Sequence, residues 1–204
     1  NLTRRKFLKW TAGGLVGAGA LTLGLKPWNK TAKGVTVSQK RPAMGTFVEI
    51  TARGEEEESL TELIDNAFDR ITRVDKSMSV FKDESRVYRL NVPGQTEVDL
   101  TPGMVEVLEE SLKISELTDG SFDVTAGPLL DLWGFYDDQL NVPSKDELAE
   151  TLKLVDYRGL EVDRARGKAR LPDPKSAIDL GGVAKGYGVD KAVEVLKDGG
   201  ASAG

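Results

Sequence analysis

The chain has 204 residues, enough for one hydrophobic core with at most a small additional lobe. Its net charge of −5 argues against a nucleic-acid partner, because binding to phosphate backbones requires clustered lysine and arginine. The sequence contains no cysteine and no histidine, which excludes a disulfide, a thiol nucleophile and an imidazole base within it. Any catalysis by these residues must therefore use carboxylates, lysine, tyrosine, hydroxyls, backbone dipoles or a hard metal ion that oxygen atoms bind.

The first 30 residues predict an export signal. Arg4 and Arg5 stand in TRRKFLKW, directly before the weakly hydrophobic run TAGGLVGAGALTLGL. This order resembles a twin-arginine (Tat-type) signal, and the glycine-rich run is short for a membrane-spanning helix. We expect residues 1–30 to be the signal segment and residues 31–204 to be the exported domain. The domain would be periplasmic or extracytoplasmic, either released by cleavage or anchored to the inner membrane.

The first part of the domain predicts one strand and one long helix. Residues 31–40 are a polar lead-in, and the alternating segment TFVEITARG (46–54) predicts a β-strand. Apolar residues recur at three- and four-residue steps from Leu60 to Met78, which predicts an amphipathic helix. The acidic run Glu55–Glu58 suits the positive end of the helix dipole, so it favours a solvated helix start over a metal site.

The middle of the chain predicts two further helices. After the short strand TEVDL, Thr101 caps a helix with Pro102 in its first turn, and Gly120 ends it. Ser144 and Glu147 have the spacing of a capping box at the start of a second, shorter helix.

The last part of the chain predicts a hairpin, a strand and a closing helix. GLEVD and KARLP flank the turn RARG and form the hairpin, and SAIDL (176–180) is a strand that leads into the helix. Strands and helices mix without a regular βαβ alternation, so the predicted fold class is α+β, with mixed sheets and packed helices. The sequence stops at GGASAG, directly after a helix, where a compact fold would continue. We therefore expect a fragment that is incomplete at the C-terminus.

One helix start combines an aspartate, a glycine pair and a lysine, in IDLGGVAKGYGVD. Unpaired N–H groups and the helix dipole favour phosphate at such a start, and Lys185 adds a full positive charge. Asp179 would repel phosphate, so its carboxylate is expected to accept hydrogen bonds from a sugar hydroxyl or a base. The carbonyl of Gly182 can face a cation shared with the phosphate. A tight strand–helix connection with a surface lysine explains these residues equally well.

Three other segments contain residues of interest when they are read with this one. AMGT contains Met44, MSVFKDESRVYRLN contains Phe81, and DGSFDVTAGPLLDLWGF contains residues 121–123. Taken singly, Met44 and Phe81 favour positions in the core, and the Gly-Pro pair favours a turn.

Together and in this order, the four motifs resemble the ApbE family of FAD:protein FMN transferases over about residues 41–196. The resemblance implies an ApbE-like, T-fold-related architecture. It implies that Phe81 lies beside the flavin ring, that Lys185 approaches the pyrophosphate and that the Gly182 carbonyl ligates Mg²⁺. The full set of FAD-binding residues that it implies is Met44, Phe81, Ser121, Phe122, Asp123, Asp179 and Lys185. It identifies no general base.

The resemblance also implies a reaction. FMN would move from FAD to a threonine or serine hydroxyl of an acceptor protein in the presence of Mg²⁺, with release of AMP. The implied partners are FAD and the acceptor, a subunit of a redox membrane complex or an electron carrier, and no nucleic acid. Two alternatives stay open: an FAD-binding protein without transferase activity, and a pyrophosphatase that splits FAD into FMN and AMP. Family members continue further and carry an aspartate and a threonine of the metal site in that later part.

Overall fold

The computed structural model describes residues 34–95, 97–137, 139–171 and 173–204. The predicted export signal lies outside these residues. Gly34–Gly204 is a unit of its own. None of the helices in the described part has both the length and the hydropathy that crossing a membrane requires.

The first sheet is a two-stranded antiparallel hairpin of β1 (Val35–Ala43) and β2 (Thr46–Gly54). The predicted bounds of β2 are confirmed. The interpretation of residues 31–40 as a lead-in is wrong from position 35 onward, because backbone pairing with β2 holds this polar segment as a strand. Met44 and Gly45 form the turn with φ values of 52° and 71°, as a two-residue hairpin loop with the twist of its strands requires.

The described residues contain six α-helices: α1 (Glu57–Met78), α2 (Arg86–Leu90), α3 (Pro102–Leu117), α4 (Gly127–Leu132), α5 (Lys145–Leu152) and α6 (Ala184–Asp198). The predicted helices are confirmed, as are two of their caps. Thr101 accepts a hydrogen bond from the N–H of Met104, and Ser144 forms the capping box with Glu147. The sequence motifs did not predict α2 and α4. The Gly-Pro pair opens α4 instead of forming an isolated turn, because proline suits the first turn of a helix.

The second sheet is antiparallel and has the strand order β3 (Glu97–Asp99), β5 (Lys168–Arg170), β4 (Glu161–Asp163). It confirms both the short strand before α3 and the predicted hairpin. A 3₁₀ turn at Tyr157–Gly159 precedes β4. With two small sheets and packed helices, the fold class is α+β, as expected.

The segment 176–180 is not the predicted strand. Its β-sheet pairing is limited to one isolated bridge between Ala177 and Ala126. Hydrogen bonds to a side chain hold its central residue instead. The Nδ2 of Asn91 donates to the carbonyl of Ile178, and its Oδ1 accepts from the N–H of Ile178, both at 2.8 Å. The N–H of Asp179 donates to the carbonyl of Val124 at 2.9 Å. These contacts hold the segment extended and bring Asp179 to the start of α6.

Two clusters of buried apolar side chains form the core. One joins the hairpin, α1 and the end of α6, with Ile64 and Leu196 among its members. The other joins α3, the second sheet and the segment before α6, with Leu108 and Ile178 among its members. Met44 packs against both clusters, so the hairpin turn and the start of α6 meet where the two clusters adjoin.

Candidate functional site

A cleft of about 130 Å³ opens at the start of α6. Its walls come from the hairpin turn, the end of α1 with the loop that follows it, and the glycine turn before α6. Met44, Phe81, Asp179 and Lys185 line this cleft together, although they belong to three distant parts of the sequence. The structure thus brings four of the predicted site residues into one place.

The carboxylate of Asp179 is held at both oxygens. Oδ1 accepts from the N–H of Gly181 at 2.7 Å, and Oδ2 accepts from the hydroxyl of Tyr136 at 3.0 Å. A Cβ at position 181 would lie 2.8 Å from Oδ1, so glycine leaves the space that this contact needs. Each carboxylate oxygen can accept a further hydrogen bond, and the side chain is only half-buried. The carboxylate is therefore a fixed acceptor at the cleft.

The start of α6 has unpaired donors and one free cation. Val183 at the N-cap gives no side-chain cap. Within the described residues, the backbone N–H groups of Gly182, Lys185 and Gly186 donate no hydrogen bond, and Lys185 is exposed without an ion pair. Open N–H groups, the positive end of the helix dipole and an ammonium group together favour an anion such as a pyrophosphate.

The predicted metal ligand Gly182 is exposed next to this helix start. No backbone N–H in the described part of the chain donates to its carbonyl oxygen, so the oxygen can ligate a hard cation. The ring of Phe122 packs against it, with Cε2 3.0 Å from where a Cβ would stand. The described residues contain no group of three or more acidic side chains that could hold a metal ion. They therefore offer Mg²⁺ a backbone oxygen without an acidic cage.

Residues 121–123 lie outside the lining of the cleft. Ser121 is exposed. Oδ1 of Asp123 accepts from the N–H and the hydroxyl of Thr125 at 2.8 and 2.6 Å, and Oδ2 accepts from the N–H of Tyr157 at 3.0 Å. This carboxylate fixes the loop before α4, and a contact of residues 121–123 with FAD stays a prediction.

Phe81 does not occupy the core position that its residue type alone favours. Its side chain is 69% exposed, at the rim of the cleft. The ring of Tyr136 meets it edge to face, with the centroids 5.8 Å apart and the planes at 85°. The free face of Phe81 can stack on a planar ring system. Met44, in contrast, is partly buried and packs on the core, as its residue type favours.

A wider pocket of about 800 Å³ adjoins the cleft and shares Val80 and Phe81 with it. The cleft alone is smaller than the roughly 300–1,000 Å³ of typical small-molecule sites. A ligand larger than the cleft could therefore extend past Phe81 into the wider pocket.

Sequence reasoning missed Tyr136. It directly follows the WGF motif, but it is 43 residues away from Asp179, and no periodicity connects the two. Burial and the carboxylate of Asp179 raise the pKa of Tyr136 above its ordinary value, so the hydroxyl stays protonated and donates. Only the fold shows this contact.

Comparison with known proteins identifies similar sequences. The model of the ApbE family matches residues 44–204. The FAD:protein FMN transferase of Haemophilus influenzae is 31% identical over 192 residues, which are 87% of this chain and 53% of that protein. The FAD:protein FMN transferase of Escherichia coli K12 is 27% identical over 182 residues, which are 87% of this chain and 52% of that protein. The chain thus spans about half the length of these curated relatives.

Solved structures give the same result. The ApbE protein of Thermotoga maritima superposes with a TM-score of 0.75 at 28% identity, over 81% of this chain and 54% of that one. The flavin transferase ApbE of Vibrio cholerae superposes with a TM-score of 0.72 at 26% identity, over 83% of this chain and 55% of that one. The expected ApbE-like architecture is confirmed.

Proposed function

The chain belongs to the ApbE family. From this premise we propose that the natural protein that contains this sequence is a flavin transferase. It moves the FMN half of FAD to a threonine or serine hydroxyl of an acceptor protein and releases AMP. The observation that carries the proposal is the cleft in which Met44, Phe81, Asp179 and Lys185 meet at the start of α6.

The groups of the cleft suit the parts of FAD. Lys185, which lines the cleft, binds the pyrophosphate together with the open N–H groups of the first turn of α6, because both supply positive charge or unpaired donors at one helix start. Asp179 accepts hydrogen bonds from a hydroxyl or a base, since its carboxylate is held in place but not saturated. The exposed face of Phe81 stacks on the flavin ring.

The reaction is a phosphoryl transfer. The acceptor oxygen bonds to the phosphorus of FMN, the bond from that phosphorus to the AMP oxygen breaks, and the hydroxyl loses its proton to the surroundings. A helix start supplies about 0.3–2 kcal/mol, far below the 8 kcal/mol or more that enzymes need. We propose that the carbonyl of Gly182 would be one ligand of Mg²⁺, which when bound would supply positive charge to offset that of the pyrophosphate. The protein positions the acceptor hydroxyl in line with the bond that breaks.

The test uses the natural protein with FAD, MgCl₂ and a peptide that contains a Ser/Thr-Gly-Ala-Thr-like site. We expect a fluorescent flavin-bearing peptide and one AMP for each FMN attached. FMN and AMP without a modified peptide would instead show a pyrophosphatase. FAD that binds and stays intact would show a binding protein without transferase activity.

Export is a separate proposal that rests on the sequence of residues 1–30 alone. A twin-arginine pathway requires the arginine pair, so replacing Arg4 and Arg5 together by lysine should retain the protein in the cytoplasm. Cell fractionation of the variant and the wild type measures this. Equal extracytoplasmic amounts of both would contradict export by this route.

A further inference from the structure

We infer that Tyr136 is a positioning residue of the cleft, an inference that rests on the proposed function. Its hydroxyl fixes the carboxylate of Asp179, and its ring seats Phe81. A single side chain thereby orients both the carboxylate and the aromatic ring that we propose for ligand binding.

The first observation is the hold on Asp179. The N–H of Gly181 contacts one carboxylate oxygen at 2.7 Å, and the hydroxyl of Tyr136 contacts the other at 3.0 Å. The terminal torsion of an aspartate is broad, so the contact with Gly181 alone leaves the second oxygen free to turn. The contact with Tyr136 fixes the plane of the carboxylate and therefore the direction of its free lone pairs.

The second observation is the contact with Phe81. This ring is 69% exposed, and its edge-to-face contact with Tyr136 is the one described aromatic contact of the ring. The backbone of Phe81 is held by a different contact, since its N–H donates to the hydroxyl of Ser79 at 3.2 Å. The backbone and the ring of Phe81 are thus held separately, the ring by Tyr136.

The third observation is how Tyr136 reaches this place. Gly134 has a φ of 73°, and a Cβ there would lie 2.2 Å from the carbonyl oxygen of Gln139. The N–H of Phe135 donates to the carbonyl of Leu130 at 3.0 Å, and the α4 helix thus ends in a Schellman turn. This rigid glycine turn, two residues before Tyr136, directs the chain back toward the cleft.

The test variant is Tyr136→Phe in the natural protein, which keeps the ring and removes the hydroxyl. We expect the Kd for FAD to rise about fivefold, because the carboxylate of Asp179 is then free to turn and must be ordered when FAD binds. The matched control is Tyr187→Phe, which removes a hydroxyl that donates to the carboxylate of Glu106 at 3.1 Å outside the cleft. The control should bind FAD like the wild type.

A double-mutant comparison separates positioning from a general loss of structure. If Tyr136 acts through Asp179, Tyr136→Phe should change the Kd less than about 1.5-fold in an Asp179→Ala background. A second variant, Tyr136→Leu, also removes the support of Phe81. It should reduce the visible difference spectrum of bound flavin at saturation, whereas Tyr136→Phe should leave that spectrum unchanged.

The outcomes distinguish this inference from the proposed function. A wild-type protein that binds FAD, together with an unchanged Kd in Tyr136→Phe, overturns the positioning role alone. An equal loss of affinity in the wild-type and Asp179→Ala backgrounds also overturns it. A wild-type protein that binds no FAD overturns the proposed function, and the positioning role with it.

Discussion

At the scale of single residues, Asp179 combines a local contact with a predicted ligand contact. Its Oδ1 closes a short turn with the N–H of Gly181, and each carboxylate oxygen can accept a further hydrogen bond at the cleft. We predict that Asp179→Ala raises the Kd for FAD at least tenfold, since hydrogen bonds to a charged group contribute about 1.5–3 kcal/mol. The free energy of unfolding should fall by about 1–3 kcal/mol, because the contact with the N–H of Gly181 and the contact with the hydroxyl of Tyr136 are both lost. Fluorescence titration and urea denaturation measure the two effects.

The matched control for this variant is Asp173→Ala. Asp173 makes the same type of turn, with Oδ1 accepting from the N–H of Lys175 at 2.8 Å, but it does not line the cleft. The control should lower the free energy of unfolding by up to about 1 kcal/mol, the part that the local turn contributes, without a loss of affinity. Equal FAD affinity in the two variants would remove Asp179 from the binding site.

Lys185 should act through its charge. It is exposed in the first turn of α6 and has no ion-pair partner in the described part of the chain, so its charge is available to an anion. We predict that Lys185→Gln raises the Kd for FAD about five- to tenfold at low salt, and less at 0.5 M NaCl, because salt screens exposed charges. Lys197→Gln, in the last turn of the same helix, is the control with the same change of net charge. An equal effect of both variants would indicate a general effect of net charge and not a site at Lys185.

At the scale of elements, local patterns predicted what depends on neighbouring residues. The periodicity of α1, the cap at Thr101 and the capping box at Ser144 were all predicted correctly. Each depends on residues that are only three or four positions apart. The polar strand β1 was not predicted, because its partner β2 and not its own composition holds it. The segment 176–180 was misassigned for the same reason, since its main partner is a side chain far away in the sequence.

Asn91 is therefore the residue on which that segment depends. Its amide forms two hydrogen bonds of 2.8 Å with the backbone of Ile178, a fully buried residue. We predict that Asn91→Ala lowers the free energy of unfolding by about 2–4 kcal/mol, because two buried backbone groups lose their partners. Urea denaturation of the variant gives this value. Asn141→Ala, in the exposed loop after α4, should change it by less than about 0.5 kcal/mol. A loss below about 1 kcal/mol in Asn91→Ala would show that water or a rearranged backbone replaces the amide.

At the scale of the whole molecule, the candidate site lies where the two core clusters meet. The four motifs named Met44, Phe81, Asp179 and Lys185 only when they were read together as a resemblance to a family, since Met44 and Phe81 taken singly favoured the core. They were not sufficient to show that these residues share a cleft, that Phe81 is exposed or that Tyr136 holds Asp179. Those facts depend on packing between segments that are distant in the sequence, which no local pattern encodes.

The final prediction concerns the metal ion and the 204-residue chain by itself. Mg²⁺ takes six oxygen ligands in a nearly ideal octahedron, and the described residues offer it the carbonyl of Gly182 without an acidic cluster. Replacing millimolar MgCl₂ by EDTA at constant ionic strength should therefore change the Kd of this chain for FAD by less than about threefold, because the metal remains mostly hydrated. Isothermal titration in the two buffers measures the change, and transfer of FMN to a peptide by this chain should be slow. A tenfold or larger effect of Mg²⁺, or rapid transfer, would show that residues 1–204 assemble the metal site themselves.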